Sequence, residues 1–210
     1  MITAQFTQLF ATSTSHIIIS RLHSSWPWYI IRGAGFAAAG LLILLMLSGI
    51  GQVTGLSYRL FEPVKAWMIH KALAIALCFA IVIHATFLLF DHYVSFSLAQ
   101  ILVPFSSHYT NGIRLFGWSF GGLAVTLGIV STYLVAIIVA SSLGWIDRKK
   151  TTWRWLHYLS YLAMLFVFVH ALTDGTDLKY GVFRLFWMLL ILLIFIASIV
   201  RLTRVGTLRK

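Results

Sequence analysis

Residues 70–84 read HKALAIALCFAIVIH and residues 157–170 read HYLSYLAMLFVFVH. These two stretches decide the fold. Each is an apolar run closed at both ends by histidine, with thirteen residues between His70 and His84 and twelve between His157 and His170. Followed outward, they become apolar segments over 66–90 and 154–173. Three more segments of the same kind lie at 29–50, 115–145 and 182–201. Crossing a bilayer takes about 20 mostly apolar residues. The reading is an all-α membrane protein: a bundle of five transmembrane helices in one domain (26–205), preceded by an N-terminal segment (1–25) and followed by a short tail (206–210).

Composition supports lipid as the solvent. Of 210 residues, 60% are hydrophobic and 10% charged, and the mean hydropathy is +0.92. A soluble domain usually carries about 25% charged residues, so polar surface is missing. The formal net charge of +11 would suit a nucleic-acid binder, but the basic residues sit in short loops and at the C-terminus. That placement orients a membrane protein and builds no groove for phosphates. Cys78 is alone in an apolar run, which excludes a disulfide framework or a thiolate metal cluster.

The stretch from Thr3 to Ser25 mixes Phe6, Leu9, Phe10 and Ile17 to Ile19 with many Ser, Thr and Gln. It lacks the basic start and apolar run of a secretory signal. It reads as an interfacial helix or a partly ordered arm. Orientation comes from the loops. One side gathers eleven Lys and Arg: Arg59, Lys65, Lys71, Arg148 to Lys150, Arg154, Arg201, Arg204, Arg209 and Lys210. The other holds Arg21, Arg32, Arg114, Lys179 and Arg184. The positive-inside rule places the first group in the cytoplasm of a cell (plasma or inner) membrane protein. The N-terminus is then outside and the C-terminal tail cytoplasmic.

Ionisable residues within spans are costly and mark functional sites. The second and fourth spans run in the same direction, so His70 lies level with His157 and His84 with His170. At 1.5 Å per residue the two levels are roughly 20 Å apart. Two imidazoles at each level suit two stacked b-type haems, each with a ligand above and below its iron. Zinc fits less well, because each level supplies only two ligands. The alternative is a non-redox transporter or scaffold whose histidines only pack. Fourteen steps put His70 and His84 on one helix face; thirteen leave His157 and His170 about 140° apart. The fourth span must therefore bend, bulge, or present its ligands from different flanks.

Haem propionates call for cations. Arg32 is the candidate at the His84–His170 level, and Lys71 and Arg154 are the candidates at the other. Snorkelling interfacial anchors are the plain alternative for each. Gly33, Gly35, Gly40, Gly117, Gly121, Gly122 and Gly128 allow close backbone approach to a flat ring, or to another helix. Asp91, His92, His108, Asp174 and Asp177 fall on the expected outer side, where hard and borderline ligands could bind ferric or cupric ions.

At this point the sequence resembles the ferric reductase-like transmembrane family, in particular its short bacterial members, over about residues 28 to 201. The NADPH oxidases and ferric reductases share the same core. The carriers are RGAGFAAAGLLILLMLSG from Arg32, the H-x13-H at His70, and VPF at 103–105. Then come WRWLHYLSYLAMLFVFVHAL from Trp153, with its H-x12-H, and GTD at 175–177. The unequal spacings are similar to those of the oxidases and ferric reductases. The resemblance implies haem ligation by His70, His84, His157 and His170. It also implies transmembrane electron transfer to an external acceptor, a ferric ion or a partner redox protein. Cytochrome b of quinol-oxidising complexes is a more distant analogue, with a longer second spacing. The larger enzymes add a cytoplasmic extension for FAD and a nicotinamide. This chain has no GxGxxG after its last span, so no FAD or NAD site is expected in it. Its donor is expected to be a separate cytoplasmic flavoprotein reductase or quinol. A relay subunit without its own substrate remains an alternative.

Overall fold

In a computed structural model the described residues are 2–111, 113–115, 118–146, 148–178 and 180–207; side chains are described from Ser25 on, excluding 114, 115, 118, 119, 202 and 204–207. Gly117, Lys179 and tail residues 208–210 of the sequence reading lie outside them. The elements are α1 (Ile2–Thr54), α2 (Pro63–Phe87), α3 (Leu98–Leu102), α4 (Phe120–Gly144), α5 (Lys150–Asp174) and α6 (Gly181–Thr207). Among the described residues five apolar stretches are long enough to cross a membrane: Ser25–Thr54, Pro63–Phe90, Phe120–Gly144, Lys150–Asp174 and Gly181–Arg201. The chain is a multi-pass membrane protein.

The five expected spans are all present, with two differences at their edges. The backbone of the N-terminal stretch is helical and runs without a break into the first span, so α1 has 53 residues with Pro27 inside it. The third span starts at Phe120 and not at 115. Just before it, Arg114–Leu115 (β1) pairs antiparallel with Trp118–Ser119 (β2), and that short ladder uses up the start of the apolar run.

The helices assemble as two antiparallel hairpins, α1 with α2 and α4 with α5, while α6 packs along α1. Pro63 opens α2, where a missing N–H costs nothing. The two histidine-bearing helices, α2 and α5, make at most slight contact with each other. A slot therefore lies between the hairpins. Its floor is the core of Leu42, Ile43, Met46, Leu77, Val135 and Ala163. On the outside, Phe79, Val82, Leu165 and Phe186 are exposed. In water such a surface would drive aggregation; in lipid it is the required finish.

One end of the bundle is closed by the chain between α2 and α4. Its backbone presses on Gly121 and Gly122, where a Cβ would stand 2.6 Å from the Tyr109 and Ser107 carbonyl oxygens. Asn111 Nδ2 then donates to the Thr173 carbonyl (3.3 Å) and to Asp174 (3.0 Å), fastening the same loop to the end of α5. We call this the Asp174 end and the opposite one the Arg201 end. Gly122→Val should cost about 2 kcal/mol or more, because backbone and not a pliable side chain must move. Thermal unfolding in detergent checks this; an unchanged midpoint would mean that the loop does not bear on α4.

Candidate functional site

His70 and His84 stand on α2, His157 and His170 on α5. Across the slot, the rings of His70 and His157 have centroids 6.2 Å apart. Those of His84 and His170 are 6.5 Å apart. The two cross-helix pairings read from the sequence are thus the ones the fold brings together. Residues 150–174 form one uninterrupted α-helix. Of the ways to reconcile the thirteen-residue step, a bulge is absent, which leaves a bend or ligands presented from different flanks.

Three of the four imidazoles are held in the same manner. His84 Nδ1 lies 2.9 Å from the Ile31 carbonyl on α1, and His170 Nδ1 lies 2.9 Å from the Ala124 carbonyl on α4. A carbonyl oxygen only accepts, so in both rings Nδ1 carries the proton and Nε2 keeps its lone pair. His70 Nδ1 lies 2.7 Å from Ser48 Oγ. That hydroxyl donates its own hydrogen to the Leu45 carbonyl at 2.8 Å. It must therefore accept from Nδ1–H, and His70 shows the same tautomer. None of the three Nε2 atoms has a hydrogen-bond partner among the described residues. Each is presented as a lone pair to the slot.

Glycines on the partner helices make room for these rings. A Cβ at Gly35 would stand 3.2 Å from the His84 ring, at Gly49 3.3 Å from His70, and at Gly128 3.0 Å from His170. Gly35 and Gly49 are as far apart on α1 as His84 and His70 are on α2, so both contacts belong to one antiparallel register. Of the seven glycines singled out in the sequence, Gly35 and Gly128 serve this purpose. Gly49 was missed, though it closes the quoted RGAGFAAAGLLILLMLSG. Its spacing from Gly35, equal to that of the α2 histidines, was the available signal.

His157 is the exception. Among the described residues no glycine stands against its ring. His157 Nδ1 is buried without a hydrogen-bond partner. The Trp153 ring leans on it at 5.2 Å between centroids, and Trp153 Nε1 is held by Ser142 at 3.0 Å.

At the Arg201 end, His70 and His157 line an apolar cavity of about 660 Å³, its open mouth included. Its walls include Met46, Gly49, Leu77 and Tyr161. The cation on its lining is Arg201, hydrogen-bonded to the Tyr161 hydroxyl and lying over the rings of Tyr158 and Tyr161. Arg201 forms no ion pair among the described residues. Lys71 and Arg154, the sequence candidates for this level, are exposed and do not line the cavity; Lys71 lies over Trp67. Arg201 had been counted only for orientation. Its place directly after the last apolar run gave no sign that it turns inward.

At the other level, Arg32 is engaged. It binds Asp177 through both nitrogens, with Nε to Oδ2 at 2.7 Å, and its guanidinium lies 3.8 Å from the Trp28 ring centre. Asp177, expected on an acceptor site, instead ties the α5–α6 turn to α1. Asp174 takes the Asn111 amide and approaches His170 Nδ1 at 4.0 Å. Burial, with Asp174 and Tyr93 beside it, holds the Tyr109 phenol above its ordinary value, so it stays neutral. Asp91 is spent on a turn, accepting from Tyr93 N and Val94 N, while His92 and His108 are exposed. Among the described residues, no three His, Cys, Asp or Glu side chains gather as a metal site. The expected external cluster is therefore not assembled.

Residues 34–168 match the family model described as "Ferric reductase like transmembrane component". No curated protein and no solved structure matches the chain.

Ser48→Ala tests the tautomer argument without any cofactor. It strands a buried Nδ1–H, which costs about 1–3 kcal/mol. Urea or thermal titration in detergent should show that loss, with Ser48→Thr retaining most of the stability. Equal stability of Ser48→Ala and the parent would remove the hydroxyl from His70.

Proposed function

The chain belongs to the family of ferric reductase like transmembrane components, and we propose that it carries electrons across the bilayer on two b-type haems. The observation that carries this reading is the set of three Nε2 lone pairs fixed toward the slot at two levels. The facing rings, 6.2 and 6.5 Å apart between centroids, would leave room for one metal-bearing group between them at each level. Two nitrogens per level are too few to hold a bare cation, but enough for an iron already bound in a macrocycle. When bound, each haem supplies a one-electron iron couple whose potential the axial ligands and their hydrogen bonds tune.

The residues of the chain then have defined tasks. His70 with His157, and His84 with His170, would each hold one haem. Ser48, Ile31 and Ala124 hold the Nδ1 protons, which fixes ring orientation and raises ligand basicity. Gly35, Gly49 and Gly128 leave the rings the space they occupy. Arg201, which forms no ion pair among the described residues, would be the partner for a haem propionate at its end. Arg32, already paired with Asp177, is less available for that role at the other. The lipid-facing walls keep water from both levels.

The Arg201 end is read as cytoplasmic and the Asp174 end as external. On this reading residues 26–205 form the di-haem domain, 1–25 an interfacial segment and 206–210 a cytoplasmic tail. The donor is a flavoprotein reductase or quinol, and the acceptor is ferric iron or an external redox protein. The dispersal of Asp91, His92, His108, Asp174 and Asp177 favours a second version, in which the chain is a relay that passes electrons to a partner protein. Re-oxidation of the reduced protein by ferric chelates, compared with re-oxidation by a redox protein, separates the two.

Two sets of variants test the assignment. His84→Ala or His170→Ala should abolish one haem and leave the other above about half occupancy, read by reduced-minus-oxidised spectra; His70→Ala and His157→Ala should do the reverse. A variant that kept both haems fully loaded would overturn its ligand. Arg201→Gln removes a charge-assisted bond worth about 1.5–3 kcal/mol. It should speed haem loss from the His70–His157 level roughly tenfold or more, with His84–His170 unaffected.

A further inference from the structure

The chain between α2 and α4 does more than close the Asp174 end. Phe96 and Tyr109 touch, with ring centroids 6.0 Å apart, so the segment between them leaves and returns at one neck. The Tyr109 and Asn111 backbone meets Gly121, and Asn111 reaches Asp174. That neck is level with the polar end of α5. From there the segment runs down the side of α4. Ser107 lies at Gly122, and Phe105 N donates to Thr126 Oγ1 at 2.9 Å. Tyr133 Oη donates to the Leu102 carbonyl. Thr126 and Tyr133 are roughly 8 and 18 Å along α4 from Gly121. A helical tyrosine leans back toward the N-terminus, which sets Leu102 between these depths. His170 meets α4 at Ala124 and Gly128, so the tip of the segment lies at the depth of the His84–His170 pair.

Irregular backbone at such a depth needs its polar groups satisfied from within the protein. Here they are. A capping box joins Ser97 and Gln100 at the start of α3. Ser106 Oγ donates to the Ala99 and Val103 carbonyls at 2.9 and 2.7 Å, and Thr126, only 2% exposed, serves the Phe105 amide. Pro104 brings no N–H. Phe105 is held at φ 64°, a left-handed conformation that bulky residues avoid. Despite that strain its side chain is 76% exposed, with Leu98, Leu102 and Val103 exposed beside it. This apolar tip is continuous with the exposed side of α4 at Leu123, Tyr133 and Ile137.

We infer that residues 97–107 form a re-entrant hairpin whose tip, Leu102 to Phe105, is immersed among lipid acyl chains beside α4. The partner of this surface is the bilayer leaflet at the Asp174 end. The inference depends on the multi-pass fold alone and stands or falls independently of the haem reading.

Single cysteines at Leu98, Leu102 and Phe105, in a Cys78→Ala background, can carry nitroxide labels in the full chain reconstituted in phosphatidylcholine vesicles. Cysteines at Leu192 on α6 and at His108 serve as lipid and water references. Labels at Leu102 and Phe105 should collide with oxygen far more than with a water-soluble nickel chelate, matching Leu192 and opposing His108. Preferential collision with nickel would place the tip in water and overturn the inference. Protection from both reagents would place a second copy or another protein over it, and would equally overturn it. Adding Tyr133→Phe should raise nickel access at Leu102 several-fold, because the Leu102 carbonyl then seeks water; no change would remove Tyr133 as the anchor.

Discussion

A buried imidazole cannot leave its N–H unsatisfied without cost, and much of the architecture follows from meeting that demand. Each ring needs an acceptor at Nδ1 from a neighbouring helix and space against that helix for its own width. On α1 the acceptors are Ile31 and Ser48 and the spaces are Gly35 and Gly49. On α4 they are Ala124 and Gly128. These contacts fix the register within each hairpin. Because the Nδ1 side of each ring is turned to its own hairpin partner, the Nε2 side faces the slot between hairpins. Pairing within hairpins thus creates the opposing pairs across them.

The two levels are not equivalent. At the Asp174 end both rings are held by backbone carbonyls, and a loop, an ion pair between Arg32 and Asp177, and the Asn111 bridge enclose them. At the Arg201 end one ring is held by a serine hydroxyl and the other, His157, has no acceptor at Nδ1. That end is also the one with an open cavity and a cation on its wall. The glycines show the same difference: Gly35, Gly49 and Gly128 stand against the other three rings, and among the described residues none stands against His157.

What could be read in advance follows from how local each signal is. The spans were legible because twenty apolar residues in a row have few other uses, and the histidine pairing because span direction and spacing fix depth. Arg201 was not legible. A basic residue after a final span reads as a topology signal, and only the packing of α6 shows that it turns toward Tyr161. Arg32 was noticed but its partner was not, since Asp177 is distant in sequence and meets it only through tertiary folding. The stretch 97–107 offered only the VPF of 103–105 to the sequence reading, because its depth is set by Thr126 and Tyr133 on another element. The late start of α4 was hidden for a related reason: a β-ladder of two residues has too short a period to show in an apolar run.

The central claim is that both histidine pairs serve one kind of cofactor. It is tested most directly by the haem-to-chain ratio of the unaltered protein, purified in detergent after haem-replete expression and measured as the pyridine haemochrome. About two b-type haems per chain are expected, one for each histidine pair. A ratio near one would contradict the equivalence of the pairs, and with it the role given to His157, whose Nδ1 lacks an acceptor. No haem at all would mean that the four imidazoles hold the bundle together and do nothing more.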